Sequence, residues 1–117
     1  MREYLDPLDK PTLDGPVTVL PTHLPLTGEH VRCVVGYPLG ASQTLVKAAE
    51  ARLAVAMGAT EVEYVPRREY LTDPSALLSE FIAIKESVSE EIPLGLRVRQ
   101  GEEEAVREVP AAWVTVS

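Results

Sequence analysis

The stretch 31-VRCVVGYPLGASQTLVKAAEARLAVAMGATEVE-63 decides the fold. An apolar run from Val31 to Gly36 leads into a turn through Pro38 and Gly40. An amphipathic run to Met57 follows, then a stop at Gly58 and a second β-prone run from Glu61. The order reads as strand, helix, strand. Ser42 is placed to cap the helix by accepting from a free backbone N–H. Val46, Ala49, Leu53 and Met57 recur at helical spacing along one face, which the pattern expects to be buried. Lys47, Glu50 and Arg52 are expected on the wetter side. Gly58 supplies the left-handed residue that ends a helix at little cost. A crossover of this length makes its flanking strands parallel neighbours with a right-handed connection, because a tight hairpin cannot join parallel strands.

The whole chain, residues 1–117, reads as one domain with enough length for a real core. A composition of 45% hydrophobic, 25% charged and 5% aromatic residues is that of a water-soluble globular protein. No run is long and apolar enough to span a membrane, and Met1–Asp14 has neither the basic start nor the apolar core of a signal peptide. A cytoplasmic protein is therefore expected. The net charge is −7, from 18 acidic against 11 basic residues, and the basic residues form no stripe, which argues against nucleic acid and anionic membranes as partners. The single Cys33 cannot form an internal disulfide, and its place in an apolar strand marks it as a small buried hydrophobe. His23 and His30 have no ligand partners at metal spacing, so neither a metal nor a cofactor is expected.

Taken in order, Met1–Gly15 is a short β-prone start followed by turn chemistry, and Val17–Leu20 is a short strand between Pro16 and Pro21. After Glu63 the strand continues to Val65 and stops at Pro66. Asp73-Pro74 is a strong helix start, and Leu77, Leu78, Phe81, Ile84 and Val88 supply an apolar stripe. Leu94–Val98 is the next strand, Glu102–Val109 a short helix with acidic residues in its first turn, and Ala112–Val116 a last strand. Val34, Leu53, Val62, Phe81 and Val98 are the expected core.

The run Tyr37-Pro38-Leu39-Gly40-Ala41, then Thr44, Lys47, Glu50, Gly58-Ala59 and Glu61-Val62-Glu63, resembles deoxyribose-phosphate aldolases. That family typically reads F-P-L-G-A-x-x-T-x-x-K-x-x-E and later G-A-D-E-V-D, with the same spacing. The resemblance is specific over these 27 residues and weak elsewhere. It implies an α/β fold, an incomplete or truncated TIM (β/α) barrel. About six mostly parallel strands and three helices, at 43–57, 73–89 and 102–109, are expected, where a full barrel takes roughly 250 residues. Relative to the family, the helices between the first three strands are missing, since segments such as 21–30, with prolines at 21 and 25, cannot supply a crossover helix.

The resemblance also implies chemistry. The family joins acetaldehyde to a glyceraldehyde phosphate through a lysine Schiff base, which needs an enclosed amine and a carboxylate that shuttles protons. The family's imine lysine falls on Thr115, its fifth-strand lysine on Arg97, and its fourth-strand aspartate on Glu63. Asp6–Pro11 faintly resembles the end of the first family strand, which would make Lys10 a family lysine. Thr115 cannot form an imine, and arginine cannot take over amine chemistry. Glu63 and Arg97 are therefore expected to face each other as an interior ion pair, with Glu63, Arg97 and Lys10 as candidate ligand-binding positions. The resulting expectation is a degenerate aldolase-like protein without Schiff-base activity, acting in binding or assembly as a homodimer or higher homo-oligomer. The alternative is a lyase of altered mechanism, acting on a small aldehyde or sugar phosphate, whose site is completed by oligomerisation.

Overall fold

The computed structural model describes Met1–Ser117. Six strands, β1 (Arg2–Glu3), β2 (Val17–Val19), β3 (Val31–Val35), β4 (Glu61–Tyr64), β5 (Leu94–Val98) and β6 (Val114–Val116), form one sheet in sequence order. Every neighbouring pair is parallel. Two helices, α1 (Thr44–Ala56) and α2 (Pro74–Glu86), lie on one face and pack against each other. This is the expected partial barrel, with one difference: the segment expected as a third helix is a short 3-10 turn, Glu103–Val106.

The alternation of side chains along each strand makes two faces of different chemistry. Toward the helices point Val17, Val19, Val31, Cys33, Val35, Val62, Tyr64, Leu94, Leu96 and Val98. All are buried, in one cluster with Ala48, Ala51, Ala54, Leu77, Phe81 and Ile84. Val34, Val62, Phe81 and Val98 are buried as expected. The α2 start is also as read: Asp73 caps the helix by accepting from the Ala76 N–H at 3.1 Å, ahead of Pro74. Leu78, placed in the α2 stripe by its spacing, is instead exposed.

The α1 face is the opposite of the expected one. Ala48, Ala51 and Ala54 meet the sheet, whereas Leu53 is 61% exposed and Val46, Ala49 and Met57 also face outward. Lys47, expected on the wet side, is 0% exposed. The reason is close approach: alanine lets the helix lie near the sheet, and the buried ammonium of Lys47 is met by Glu80 of α2 at 3.1 Å. Ser42 does not cap α1 either; the N-cap residue is Gln43, without a side-chain hydrogen bond. Gly58 does end the helix as expected, with φ +116°, and a Cβ there would stand 1.8 Å from the Leu26 carbonyl oxygen.

That contact belongs to the segment replacing a crossover helix between β2 and β3. Leu24 and Leu26 pack onto the core, and the Leu26 N–H donates to the Met57 carbonyl at 3.1 Å. Val17 and Val19 are therefore fully covered although no helix crosses them.

Candidate functional site

Facing away from the helices, the sheet carries one inward-pointing charge or more on β1, β3, β4 and β5: Glu3, Arg32, Glu61, Glu63 and Arg97. Parallel register sets Glu63 opposite Gly95 and Arg97 opposite Thr115. The sheet curls, so that Arg97 on β5 reaches Glu3 on β1 through Nη2 and Oε2.

Glu63 is the centre of the cluster and is 0% exposed. Its Oε1 accepts from Arg97 Nε at 2.6 Å, and its Oε2 accepts from Trp113 Nε1 and Thr115 Oγ1, each at 2.6 Å. Arg32 Nη1 lies 3.5 Å from the same Oε2, while Arg32 Nε donates to Glu61 at 2.8 Å. The Arg32 guanidinium stacks on the Trp113 ring at 3.7 Å from its centroid. Trp113 fits there because Gly95 is bare: a Cβ on residue 95 would come within 2.1 Å of the indole. Burial works against charge on Arg97, but its hydrogen bonds to Glu3 and Glu63 prevail and hold its pKa above the usual arginine value.

Beside Glu63 and toward the strand C-terminal ends, Leu20, Val34 and Val65 form a small apolar cluster with Leu5 and Tyr37. It lies on the side from which a barrel ligand enters. Glu63 is thus buried beside an apolar cluster, and none of the donors on its carboxylate oxygens is an amine.

Of the expected site residues, Glu63, Arg97 and Thr115 come together, and Lys10 does not; it is exposed in the β1–β2 connection. Glu3, Arg32 and Trp113 belong to the cluster and were missed by sequence reasoning. Gly95 inside a strand was the available signal for the close approach of Trp113. Lys47 lies on the opposite face of the sheet, where desolvation lowers its pKa against the pull of Glu80. Lys85 donates to the carbonyls of Glu90 and Ile92. No lysine therefore reaches the concave cluster. No group of His, Cys, Asp and Glu side chains has metal-binding geometry. No helix is long and apolar enough to cross a membrane.

These features define a partial (β/α) barrel of the aldolase type, whose inward-facing positions carry an arginine–carboxylate network. The chain is a relative of the deoxyribose-phosphate aldolases. It is 37% identical over 103 residues to the deoxyribose-phosphate aldolase of Nocardia farcinica, a match covering 80% of this chain and 45% of that protein. It is 45% identical over 69 residues to that of Corynebacterium glutamicum, covering 57% of this chain and 31% of the relative. Among solved structures, the aldolase QR15 superposes with a TM-score of 0.75 at 25% identity, over 87% of this chain and 53% of that one. The chain thus spans about half the length, or less, of the relatives it matches. No protein-family model matches it.

Proposed function

We propose that this chain is a degenerate deoxyribose-phosphate aldolase-like protein without Schiff-base activity, acting in the cytoplasm as a binding or assembly protein. The observation that carries the reading is the set of donors on Glu63. The carboxylate in the family's proton-shuttling position accepts from Arg97, Trp113 and Thr115, and none of these is an amine able to condense with an aldehyde. Reductive trapping tests it. Incubation with acetaldehyde and borohydride, followed by peptide mass spectrometry, should give no adduct at a specific lysine. An adduct at one lysine, abolished by replacing that lysine alone, would overturn the reading.

Self-association is the second part of the proposal, and the outer face of α1 supports it. Leu45 is 80% exposed, and Leu39, Val46, Leu53 and Met57 are exposed beside it, an apolar stripe turned away from the sheet. Covering this stripe with its own copy in a symmetric dimer removes it from water. Sedimentation velocity across a wide concentration range should show a dimer or higher oligomer, converted to monomer by Leu45→Glu with Leu53→Glu. A wild-type monomer at high concentration refutes this part.

A further inference from the structure

Where β3, β4, β5 and β6 end, their following loops enclose a cleft of about 280 Å³. Arg68, Arg97 and Arg99 line it, with Glu102 as its single acidic side chain. The bias stands out in a chain with 18 acidic residues and a net charge of −7. The three arginines are not equivalent. Arg97 is spent on Glu63 and Glu3. Arg68 pairs with Glu102 at 2.8 Å but stays 43% exposed in its side chain. Arg99 is exposed, and its guanidinium makes no hydrogen bond or ion pair; only its backbone is engaged, the N–H donating to Glu102 Oε1 at 2.8 Å and the carbonyl accepting from the Glu102 N–H at 3.0 Å.

We infer that this cleft binds a small organic carboxylate, with the carboxylate held between the guanidinium groups of Arg68 and Arg99 and the carbon body against Tyr37 and Pro66. The inference rests on the reading of the chain as a binding protein and supplies its ligand class. Three observations select a monocarboxylate. First, Arg68, Glu102 and Arg99 together carry one net positive charge, which a monoanion neutralises and a dianion overshoots. Second, the free donors are planar guanidinium forks, which match a carboxylate in bidentate geometry. Third, the cleft has no α-helix N-terminus, the usual cradle of a phosphate, and the phosphate-binding loops of full barrels follow strands seven and eight instead. Tyr37, Pro38, Val65 and Pro66 give the carbon body an apolar wall.

The test is titration of the full chain with propionate and with lactate, read by the arginine side-chain Nε–H signals in NMR, against chloride at equal ionic strength. Saturable binding with a Kd on the order of 1–10 mM is expected for so small a ligand. Inorganic phosphate should bind more weakly than propionate. Arg99→Gln, which removes no contact within the protein, should weaken propionate binding by about tenfold, the worth of a charge-assisted hydrogen bond. Arg52→Gln on α1, outside the cleft, should leave it unchanged. Absence of saturation beyond the chloride control, equal losses in the two variants, or tighter binding of phosphate would each overturn the inference. Reductive trapping is decided separately. Failure of propionate to bind leaves the absence of Schiff-base chemistry standing, and a lysine adduct refutes that absence without altering the Arg99 comparison.

Discussion

Replacing Glu63 by glutamine changes one oxygen for an NH₂ group and almost nothing else in shape, yet the surroundings leave the amide no satisfactory orientation. With its carbonyl oxygen toward Arg97 Nε, the amide nitrogen faces Trp113 Nε1, which can only donate; flipped, it faces Arg97, which can only donate. The Thr115 hydroxyl can turn to accept, so the conflict always falls on Arg97 or Trp113. One buried donor left without a partner costs about 1–3 kcal/mol. Glu63→Ala removes the buried one of Arg97's two carboxylate partners and leaves Trp113 Nε1 without an acceptor, and should cost about 3–5 kcal/mol, a large part of the ~5–15 kcal/mol that holds a domain together. Urea denaturation followed by far-UV circular dichroism measures both. The argument has a sharper consequence in a double-mutant cycle. In a Trp113→Phe background the glutamine can aim its nitrogen at the vacated side, so its cost should fall by about 1 kcal/mol or more, a coupling expected only between groups in contact. A Glu63→Gln variant within about 0.5 kcal/mol of wild type, the range of ordinary surface changes, would refute the reasoning, as would a cycle with no coupling.

The other predictions concern the helix face of the sheet. Leu53→Ala should change stability by no more than about 0.5 kcal/mol, since Leu53 faces outward, whereas Ala51→Leu should cost about 1–3 kcal/mol by overpacking the α1–sheet contact; urea midpoints of the two variants decide whether the helix face is as described. Lys47→Met should cost about 3–5 kcal/mol, because it leaves the Glu80 carboxylate buried with only Thr44 Oγ1 and the Arg67 N–H as donors, and Glu80→Leu in the same chain should recover most of the loss. Burial pushes the Cys33 thiol up to about 12, so the native chain keeps a proton that the unfolded chain releases near pH 8.5. Its contribution is fully present below about pH 8.5 and is lost as pH rises toward the native value, at up to about 1.4 kcal/mol per pH unit. Denaturation midpoints at pH 7, 9 and 10 should therefore fall more steeply for wild type than for Cys33→Ala, and parallel slopes would contradict the assignment.

What the sequence made legible followed from local rules. Gly58 ends α1 because few other residues fit its left-handed turn, and Asp73-Pro74 starts α2 because the cap and the first helical position are adjacent in the chain. The family resemblance singled out Glu63, Arg97 and Thr115, and the parallel register does bring them to one face. The α1 misreading has a different origin: apolar periodicity ranks Leu53 above Ala51, but the compensation that lets Lys47 be buried comes from Glu80, on another helix. No window centred on α1 contains that information.

The same limit hid half of the concave cluster, and here the geometry can be argued from distance. Strands in a flat sheet lie about 4.8 Å apart, which would set β1 and β5, four intervals distant, about 19 Å from each other. That is too far for a glutamate and an arginine side chain to meet. Glu3 and Arg97 do meet, so the sheet must be strongly curved, and the same curvature brings Arg32 of β3 onto Trp113 beside β6. Curvature in turn needs bare backbone where the indole crosses, which Gly95 provides. The inward charges of Glu3, Arg32, Glu61, Glu63 and Arg97 would be costly on a buried flat face, where most of them lack partners. Curled, they satisfy one another across the concavity. The groups of the concave cluster are thus the groups that hold the partial barrel's shape, and Glu63, with Arg97, Trp113 and Thr115 as its donors, is the centre of that hold.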